Sequence, residues 1–430
     1  MIILKKLLLK ILISLLVFIF LFNTLNLFTT LSFANDVLFS NASYNAFEKT
    51  SIPTTSNINH YSIPNINARS AIVLDRNSKK ILYKKKELNK VKMASTTKIM
   101  TALIVLENSN TKDVVTVSKK AATIRGSRVG LKENDKVCLL DLLYSLMLCS
   151  GNDAAIALSE HVGGSVENFC DLMNKKALSL GLKNTHFESP HGLDSDEHYT
   201  TAYELSLLAD YALKNELFAK IVNTKFYSIK INNDIKELKN TNELLGNLNG
   251  IYGIKTGFTN GANRCLVTAC KRNNMDIICV VLGCDTKKFR TSDSTKLIEY
   301  VYKNFEYINI NNLLKKHFNL WLKENLDNIQ IIKGNIDNDL ILSYIPVNFE
   351  LLPIEKSKIS TLTIQIICNK TLIAPINCNS VIGSIKILEN NSEIYQTDII
   401  LKNTIKKKNI KNYLIEIIKE LKVLSLNSFW

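Results

Sequence analysis

The N-terminal part of the chain carries one long apolar run and then a polar stretch. Residues 11–22 are mainly apolar, three lysines precede them, and small residues lie just before Asn35. This arrangement predicts a cleaved export signal over residues 1–34, because the run is shorter than the ~20 residues that span a bilayer. The following residues 35–65 are rich in Asn, Ser and Thr, which predicts a flexible linker.

Downstream of the linker, the apolar residues follow two different spacings. Short apolar segments on either side of a turn-prone stretch predict a β-hairpin at 68–74 and 80–83. Helical spacing predicts buried helices at 98–107, 139–148, 153–161, 166–180 and 202–213. Strand patterns return at 266–269 and 276–283. Strands, then helices, then strands predict an α/β (α+β) domain over residues 66–303, with a sheet assembled from both ends.

The C-terminal third shows a different pattern. The helical signal thins beyond about residue 304, and strand patterns at 340–344, 359–368 and 381–388 predict a second, smaller, mainly β domain over 304–396.

Residues 397–430 are predicted to form an amphipathic basic helix. Apolar residues recur there at i, i+3 and i+4 among many lysines. Such a helix is too polar to span a bilayer but suits its surface, and the alternative is an ordinary helix packed on the β domain.

Composition and net charge indicate which kinds of molecule the protein is expected to bind. The 430 residues include 46% hydrophobic residues and carry a formal net charge of +15, as expected for a folded but basic protein. For an exported chain, anionic envelope polymers and lipid headgroups are the expected counter-charges, and nucleic acid is not an expected partner. Nine cysteines without a C-x-x-C pair predict buried thiols rather than a zinc site or a disulfide framework, and no cofactor-binding motif is present.

Ser95 and Lys98 form the first candidate for chemistry. They lie three residues apart at the start of a predicted helix, so their side chains share one face. A neutral lysine can remove the proton of a serine and create a nucleophile. By itself the pair is weak evidence, because a bare Ser-x-x-Lys is more often a helix cap and a surface lysine.

Two further polar triplets follow, the first about 55 residues after Ser95 and the second about 105 residues after the first. Ser150-Gly151-Asn152 lies between two predicted helices, where a capping turn is the simpler interpretation. Lys255-Thr256-Gly257 lies on a predicted strand, where the glycine permits a substrate backbone to approach. Each triplet alone is weak evidence, but the three in this order are not expected by chance.

Together the triplets resemble the signature of the low-molecular-mass penicillin-binding D-alanyl-D-alanine carboxypeptidases. The similarity extends through the flanking segments 93–103, 141–155, 184–194 and 253–259, and more weakly into the second domain through 374–376 and 381–383. The resemblance implies a serine D,D-peptidase (β-lactamase-like) catalytic domain that removes the terminal D-alanine from peptidoglycan stem peptides. It also implies covalent inhibition by β-lactams and a place on the outer face of the cytoplasmic membrane.

The resemblance also implies a role for each matching residue. Ser95 is acylated, Lys98 accepts its proton and Ser150 relays a proton to the leaving amine. The substrate-binding residues are Asn152 at the substrate amide and four others at or near the terminal carboxylate, namely Lys255, Thr256, Gly257 and Arg290. The backbone N–H groups of Ser95 and Phe258 form the oxyanion hole.

Two physical problems accompany these roles. A lysine with an ordinary pKa of ~10.4 cannot accept a proton at neutral pH, so burial and the charge of Lys255 must lower the pKa of Lys98. Strict strand alternation also places Lys255 and Thr256 on opposite faces, so one side chain must reach around the strand edge.

Three rival functions remain at this point. A class A-like β-lactamase needs a glutamate-activated water, and no Glu-x-x-Leu-Asn follows residue 152. A D,D-endopeptidase or transpeptidase differs only in the group that leaves or attacks, so the motifs do not separate it from a carboxypeptidase. An inactive wall-binding protein would keep the fold without turnover.

Overall fold

A computed structural model describes residues 49–51, 62–335, 340–346, 350–415 and 417–418. The predicted export signal and most of the predicted linker lie outside these residues. Within residues 35–65, a short strand was not expected but is present at Lys49–Ser51. It pairs with a strand of the C-terminal sheet.

The helices and strands of the described residues are grouped in blocks along the chain. The helices are α1 (Lys98–Asn108), α2 (Lys119–Thr123), α3 (Leu139–Leu148), α4 (Asn152–Gly163), α5 (Val166–Ser179), α6 (Ala202–Ala212), α7 (Glu216–Val222), α8 (Lys287–Asn304) and α9 (Ile310–Asn325). The strands are β1 (Lys49–Ser51), β2 (Ser70–Asp75), β3 (Ile81–Lys85), β4 (Val114–Thr116), β5 (Lys136–Cys138), β6 (Phe226–Ile231), β7 (Asp234–Lys239), β8 (Ile251–Thr259), β9 (Asn263–Arg272), β10 (Met275–Cys284), β11 (Phe305–Asn309), β12 (Gln330–Ile332), β13 (Leu342–Tyr344), β14 (Leu351–Glu355), β15 (Leu362–Cys368), β16 (Thr371–Ile373), β17 (Val381–Glu389) and β18 (Ser392–Leu401).

The central sheet is antiparallel with strand order β3-β2-β10-β9-β8, so its strands come from both ends of the domain as predicted. Both faces of this sheet are buried. Alternate residues of a strand point to opposite faces, so each strand contributes to two cores. Ile278 and Val280 of β10 face the core formed with α1 and α3–α7, whereas Ile277, Cys279 and Val281 face the core covered by α8. A second, four-stranded sheet has the order β4-β5-β6-β7.

The C-terminal unit is mainly β and has a core of its own. Its five-stranded sheet has the order β1-β15-β17-β18-β13, flanked by two two-stranded sheets, β11-β14 and β12-β16. The expectation that helical structure thins beyond residue 304 is wrong for α9. The residues Ile310, Leu314, Phe318 and Trp321 of α9 recur at helical spacing and are buried in this core.

The predicted start of the C-terminal helix at residue 397 also needs correction. Residues 397–401 belong to β18, and Ile405 forms a bridge with Ile376. Ile399, Ile400 and Leu401 are buried and pair with the neighbouring strand β13, so this segment is strand rather than helix. Helical backbone begins at residue 410.

All nine cysteines lie within the described residues and are free, and six of them are buried. The fold is therefore held by its cores and hydrogen bonds rather than by disulfides. None of the helices in the described ranges is both long and apolar enough to cross a bilayer.

Candidate active site

Ser95 lies in a 3₁₀ turn directly before α1. The Thr96 hydroxyl donates to the carbonyl of Met93 at 2.6 Å, and the Thr97 hydroxyl donates to the carbonyl of Ala94 at 2.8 Å. Ala94 adopts a left-handed φ of 48°, which a non-glycine residue rarely does. The hydrogen bonds of the two threonines thus fix a sharp, strained turn. This turn places Ser95 in the wall of a cleft.

Lys98 lies one helical turn after Ser95 and is completely buried. Its Nζ is 2.9 Å from Ser95 Oγ, 2.7 Å from Asn152 Oδ1 and 3.0 Å from the carbonyl oxygen of His191. The last two partners can only accept hydrogen bonds. A neutral amine keeps two hydrogens for them and has a lone pair left for the Ser95 hydroxyl, so the geometry suits proton transfer from Ser95 to Lys98.

Burial lowers the pKa of Lys98 well below its ordinary value, and the positive charge of Lys255 lowers it further, against a smaller opposing effect of Asp153. Lys255 is itself buried, and burial together with the charge of Arg290 lowers its pKa to about 7. The neutral form of Lys98 is therefore favoured by its surroundings.

Ser150 and Asn152 lie at the junction of α3 and α4. Ser150 adopts a left-handed φ of 60° and lines the cleft, while Asn152 is buried behind it. The Asn152 amide nitrogen donates to the carbonyl of Arg125 at 2.6 Å, which orients its oxygen towards Lys98. The neighbouring Asp153 accepts hydrogen bonds from the backbone N–H groups of residues 129–131, and so holds the loop before them beside the cleft.

β8 runs along the opposite wall of the cleft. Thr256 lines the cavity, and its Oγ1 lies 2.7 Å from Thr241 Oγ1. Lys255 is buried and does not line the cavity, and its Nζ donates to the carbonyl of Thr256 at 2.9 Å. A Cβ on Gly257 would lie 3.2 Å from the backbone nitrogen of Ser95, so glycine permits β8 to approach the Ser95 turn.

The cleft has a volume of about 660 Å³. Six of the residues singled out from the sequence line it, namely Ser95, Ser150, Thr256, Gly257, Phe258 and Arg290. The other three, Lys98, Asn152 and Lys255, are buried. Lys98 donates to Ser95 and Lys255 donates to Thr256, both lining residues, and Asn152 accepts from Lys98.

Arg290, near the start of α8, is a buried cation at the cleft wall. It is only 4% exposed, and its Nε and Nη2 atoms have no hydrogen-bond partner among the described residues. The nearest carboxylate oxygen, of Glu243, is 3.6 Å from Nη2. Since Arg290 lines the cleft and two of its buried nitrogens lack a partner, its guanidinium is a candidate group for binding an anion.

The sequence reasoning did not identify the contribution of the loop before α6. A Cβ on Gly192 would lie 2.0 Å from the carbonyl oxygen of Ala94, so this loop packs directly on the Ser95 turn. Asp194 accepts hydrogen bonds from Thr259 Oγ1 at 2.6 Å and from the backbone nitrogen of Gly261, which ties the loop to the end of β8. The sequence of segment 184–194 resembles the family, which drew attention to this loop. Its contacts, however, join residues that are distant in sequence, and a local pattern does not predict such contacts.

His191 is a structural residue of the same loop and is 8% exposed. Its Nδ1 accepts a hydrogen bond from the backbone nitrogen of Leu193 at 3.2 Å. Burial, followed by the charge of Lys98, lowers its pKa to about 3. The ring is therefore neutral at physiological pH, as a structural histidine would be.

Comparison with known proteins gives two matches to protein families. Residues 57–286 match the family described as D-alanyl-D-alanine carboxypeptidase, and residues 344–407 match the family described as penicillin-binding protein 5, C-terminal domain.

Among curated proteins, the chain is 37% identical over 267 residues to D-alanyl-D-alanine carboxypeptidase DacF of Bacillus subtilis, covering 61% of this chain and 67% of that protein. It is 29% identical over 374 residues to D-alanyl-D-alanine carboxypeptidase DacA of Escherichia coli, covering 83% and 88% of the two chains.

Solved structures show the same relationship. The D-alanyl-D-alanine carboxypeptidase DacD of Francisella tularensis superposes with a TM-score of 0.68 at 25% identity, covering 83% of this chain and 98% of that one. Penicillin-binding protein 5 of Haemophilus influenzae superposes with a TM-score of 0.66 at 28% identity, covering 81% and 100%. The chain therefore belongs to the D-alanyl-D-alanine carboxypeptidase family.

Proposed function

We propose that this protein is a serine D-alanyl-D-alanine carboxypeptidase that removes the terminal D-alanine from peptidoglycan stem peptides. The observation that carries the proposal is the 2.9 Å separation of Lys98 Nζ from Ser95 Oγ in a buried, electropositive site. The family relationship supports the same reaction.

In the proposed first step, neutral Lys98 takes the proton of Ser95, and Ser95 Oγ attacks the carbonyl carbon of the penultimate D-alanine. The C–N bond breaks, and the leaving amine receives a proton through Ser150. Water then hydrolyses the acyl-serine ester and regenerates the free hydroxyl. Asn152 keeps Lys98 in position and is the candidate to orient the substrate amide.

Substrate binding is assigned to the cationic end of the cleft. Lys255, Thr256 and Arg290 form the anchor for the terminal carboxylate, because Arg290 has free donors and Thr256 lines the cavity. The backbone N–H groups of Ser95 and Phe258 are proposed to stabilise the oxyanion, a contribution of about 3 to 4 kcal/mol per donor in comparable sites. The anionic β-lactams would occupy the same subsites and acylate Ser95.

Release of D-alanine from a synthetic pentapeptide stem tests this function. Wild-type protein should liberate one equivalent of D-alanine per stem, and Ser95→Ala should liberate none. A wild-type protein that is folded but releases no D-alanine would refute the carboxypeptidase assignment.

We also propose that the protein is exported and held on the outer face of the cytoplasmic membrane. The helical residues from 410 onward expose Ile410, Leu414, Ile417 and Ile418, each at least half exposed, among lysines. An apolar stripe flanked by positive charge is suited to the surface of an anionic bilayer. Deletion of residues 410–430 should release the processed protein from membranes, and unchanged attachment would refute this anchor.

A further inference from the structure

His198 is a buried histidine that the catalytic steps proposed above do not use. It is only 2% exposed, it does not line the cleft, and its ring packs edge-on against Phe187 with the ring centroids 5.8 Å apart. Both of its ring nitrogens have hydrogen-bond partners, which are the Thr97 hydroxyl and the backbone nitrogen of Glu188. Because Thr97 lies in the turn of the nucleophile, these bonds connect His198 to the candidate active site.

The two partners determine which ring nitrogen of His198 carries the proton. Nδ1 lies 3.0 Å from the backbone nitrogen of Glu188, which can only donate, so Nδ1 is the unprotonated acceptor. The proton of the neutral ring is then on Nε2, which lies 2.7 Å from Thr97 Oγ1 and donates to it. Burial lowers the pKa of His198 to about 4, so the ring is neutral at physiological pH and both bonds are retained.

Thr97 connects this histidine to the residue before the nucleophile. Its hydroxyl donates its single proton to the carbonyl of Ala94 at 2.8 Å, so it accepts the hydrogen bond from His198 Nε2. Ala94 is the residue with the left-handed φ of 48° and directly precedes Ser95. A strained conformation of this kind persists only where its surroundings hold it, and hydrogen bonds in a buried chain strengthen one another. The chain from His198 through Thr97 therefore stabilises the strained turn.

The loop that carries His198 contacts both reacting groups. The carbonyl of His191 accepts a hydrogen bond from Lys98 Nζ at 3.0 Å. Gly192 lies against the Thr97 hydroxyl, because a Cβ on this glycine would be 2.5 Å from Oγ1. One loop thus contacts the proposed base through a backbone carbonyl and the turn of the proposed nucleophile through a side chain. The separation of the two groups depends on how this loop is held.

We propose that His198 is a positioning residue that, through Thr97, holds the turn of Ser95 at the separation needed for proton transfer to the base. The side chain does not line the cleft, so it contributes to the rate of acylation and not to the binding of substrate. This inference rests on the proposed function, because it assigns His198 a role in the same acylation step.

Two substitutions of His198 separate its two hydrogen bonds. The side-chain amide of glutamine reaches as far as Nε2 of histidine, so His198→Gln keeps a donor for Thr97 and loses the acceptor for Glu188. The amide of asparagine reaches only as far as Nδ1, so His198→Asn keeps the acceptor and loses the donor. Both variants remove the same ring from the core. They differ in the bond that leads to the turn of the nucleophile.

The readout is acylation of the full chain by penicillin, followed by stopped flow over a range of penicillin concentrations. These data give the dissociation constant of the initial complex and the acylation rate constant separately. We expect His198→Asn to lower the rate constant at least about tenfold, since a displacement of roughly 1 Å in an active site costs up to about 100-fold. His198→Gln should acylate several times faster than His198→Asn. The dissociation constant should be the same in both variants.

Thr97→Val and Thr185→Val form a matched pair of controls, because each replaces a buried threonine hydroxyl by a methyl group. Thr185 Oγ1 forms its hydrogen bonds with Thr200 at 2.8 Å and with Glu204 at 2.6 Å. Thr185→Val should therefore lower the Tm and acylate at the wild-type rate. Thr97→Val should slow acylation, and adding His198→Asn to it should slow acylation little further, because the two changes break the same chain.

Equal acylation rate constants for the wild-type protein and His198→Asn would overturn this inference. Equal slowing by His198→Asn and His198→Gln would overturn it as well, because packing and not the bond to Thr97 would then be responsible. A folded wild-type protein that penicillin does not acylate would instead overturn the proposed function.

The nitrogen-15 NMR signals of the imidazole rings test the arrangement without any change to His198. In the wild-type protein the His198 proton should be on Nε2, and Thr97→Val should shift the Nε2 signal. A ring protonated on Nδ1, or an Nε2 signal that Thr97→Val leaves in place, would overturn the inference even if the His198 variants do not fold.

Discussion

Lys255 and Lys98 place two amino groups in one buried site, and the charge of Lys255 lowers the pKa of Lys98. Both side chains are almost fully inaccessible to solvent, so their repulsion is weakly screened. The pair explains how a lysine can serve as a base near neutral pH. It also means that the cation proposed to bind the substrate carboxylate lowers the pKa of the proposed base.

The first prediction concerns the pH dependence of acylation. Lys98 is active when neutral, so the acylation rate should increase with pH as Lys98 loses its proton, and this rise should lie well below pH 10.5. Removing a positive charge raises the pKa of Lys98, so Lys255→Met should move the rise to higher pH. Stopped-flow measurement of penicillin acylation between pH 5 and 10 checks this.

The matched variant for that experiment is Lys255→Arg, which keeps the positive charge. Its rate profile should rise at a lower pH than that of Lys255→Met. Identical profiles for the two variants would show that the charge of Lys255 does not influence Lys98.

Asn152 is predicted to act mainly by positioning Lys98. Replacing it with alanine removes the 2.7 Å contact to Lys98 Nζ and frees the amine to move. We expect acylation to slow by about 100-fold, the effect of a displacement of roughly 1 Å in an active site. The surface variant Asn168→Ala should acylate at the wild-type rate. An Asn152→Ala protein with the same rate would mean that Lys98 is held by other contacts.

Gly257 is predicted to be required for the geometry of the Ser95 turn. A methyl group there would lie 3.1 to 3.2 Å from Ala94 Cβ, Met93 O and Ser95 N, and backbone atoms cannot easily withdraw. Gly257→Ala should therefore displace the Ser95 turn and weaken one transition-state contact. We expect acylation to slow at least about tenfold as a result.

Gly164→Ala provides the control for this steric argument. Gly164 has a left-handed φ of 72° at the end of α4, and nothing lies within 4 Å of the added methyl group. That variant should lose stability by about 1 kcal/mol because alanine disfavours this backbone conformation, yet acylate normally. Thermal unfolding and acylation rates measured on both variants separate the two effects, and normal acylation by Gly257→Ala would contradict the assigned geometry.

The free cysteines predict insensitivity to reducing agents. Because all nine thiols are unpaired and most are buried, the Tm should be the same with and without dithiothreitol. Titration in denaturant should find nine thiols per chain. A Tm that falls on reduction would reveal a disulfide in the protein as produced.

Local patterns in the sequence predicted the hairpin, the helices α1 and α3 to α6 and the strands β9 and β10, because each element buries a regular face. They did not predict the helices α2, α7 and α8 of the catalytic part. Residues 310–325 show where the prediction failed. Their apolar residues recur at helical spacing, but several strand patterns follow this segment. The whole region was therefore predicted to be mainly β. The boundary at 397 failed because β18 continues into the basic segment before the helix begins.

The candidate site was predicted through three triplets, but the contacts that support it were not. Gly192 against Ala94, Asp194 against Thr259 and Asp153 against the 129–131 backbone each join segments far apart in sequence. A periodic pattern reports only which face of an element is buried and not what it meets. The hydrogen bond from Lys255 Nζ to the Thr256 carbonyl was not predicted either, because strand alternation shows only on which face a side chain starts.

Covalent labelling of Ser95 tests the central claim most directly. Wild-type protein is incubated with penicillin and digested, and the acylated peptide is located by mass spectrometry. The account predicts one penicilloyl group per chain, on Ser95, with no adduct on Ser95→Ala and a greatly slowed adduct on Lys98→Ala. Acylation of a different residue, or an unmodified wild-type protein, would contradict it.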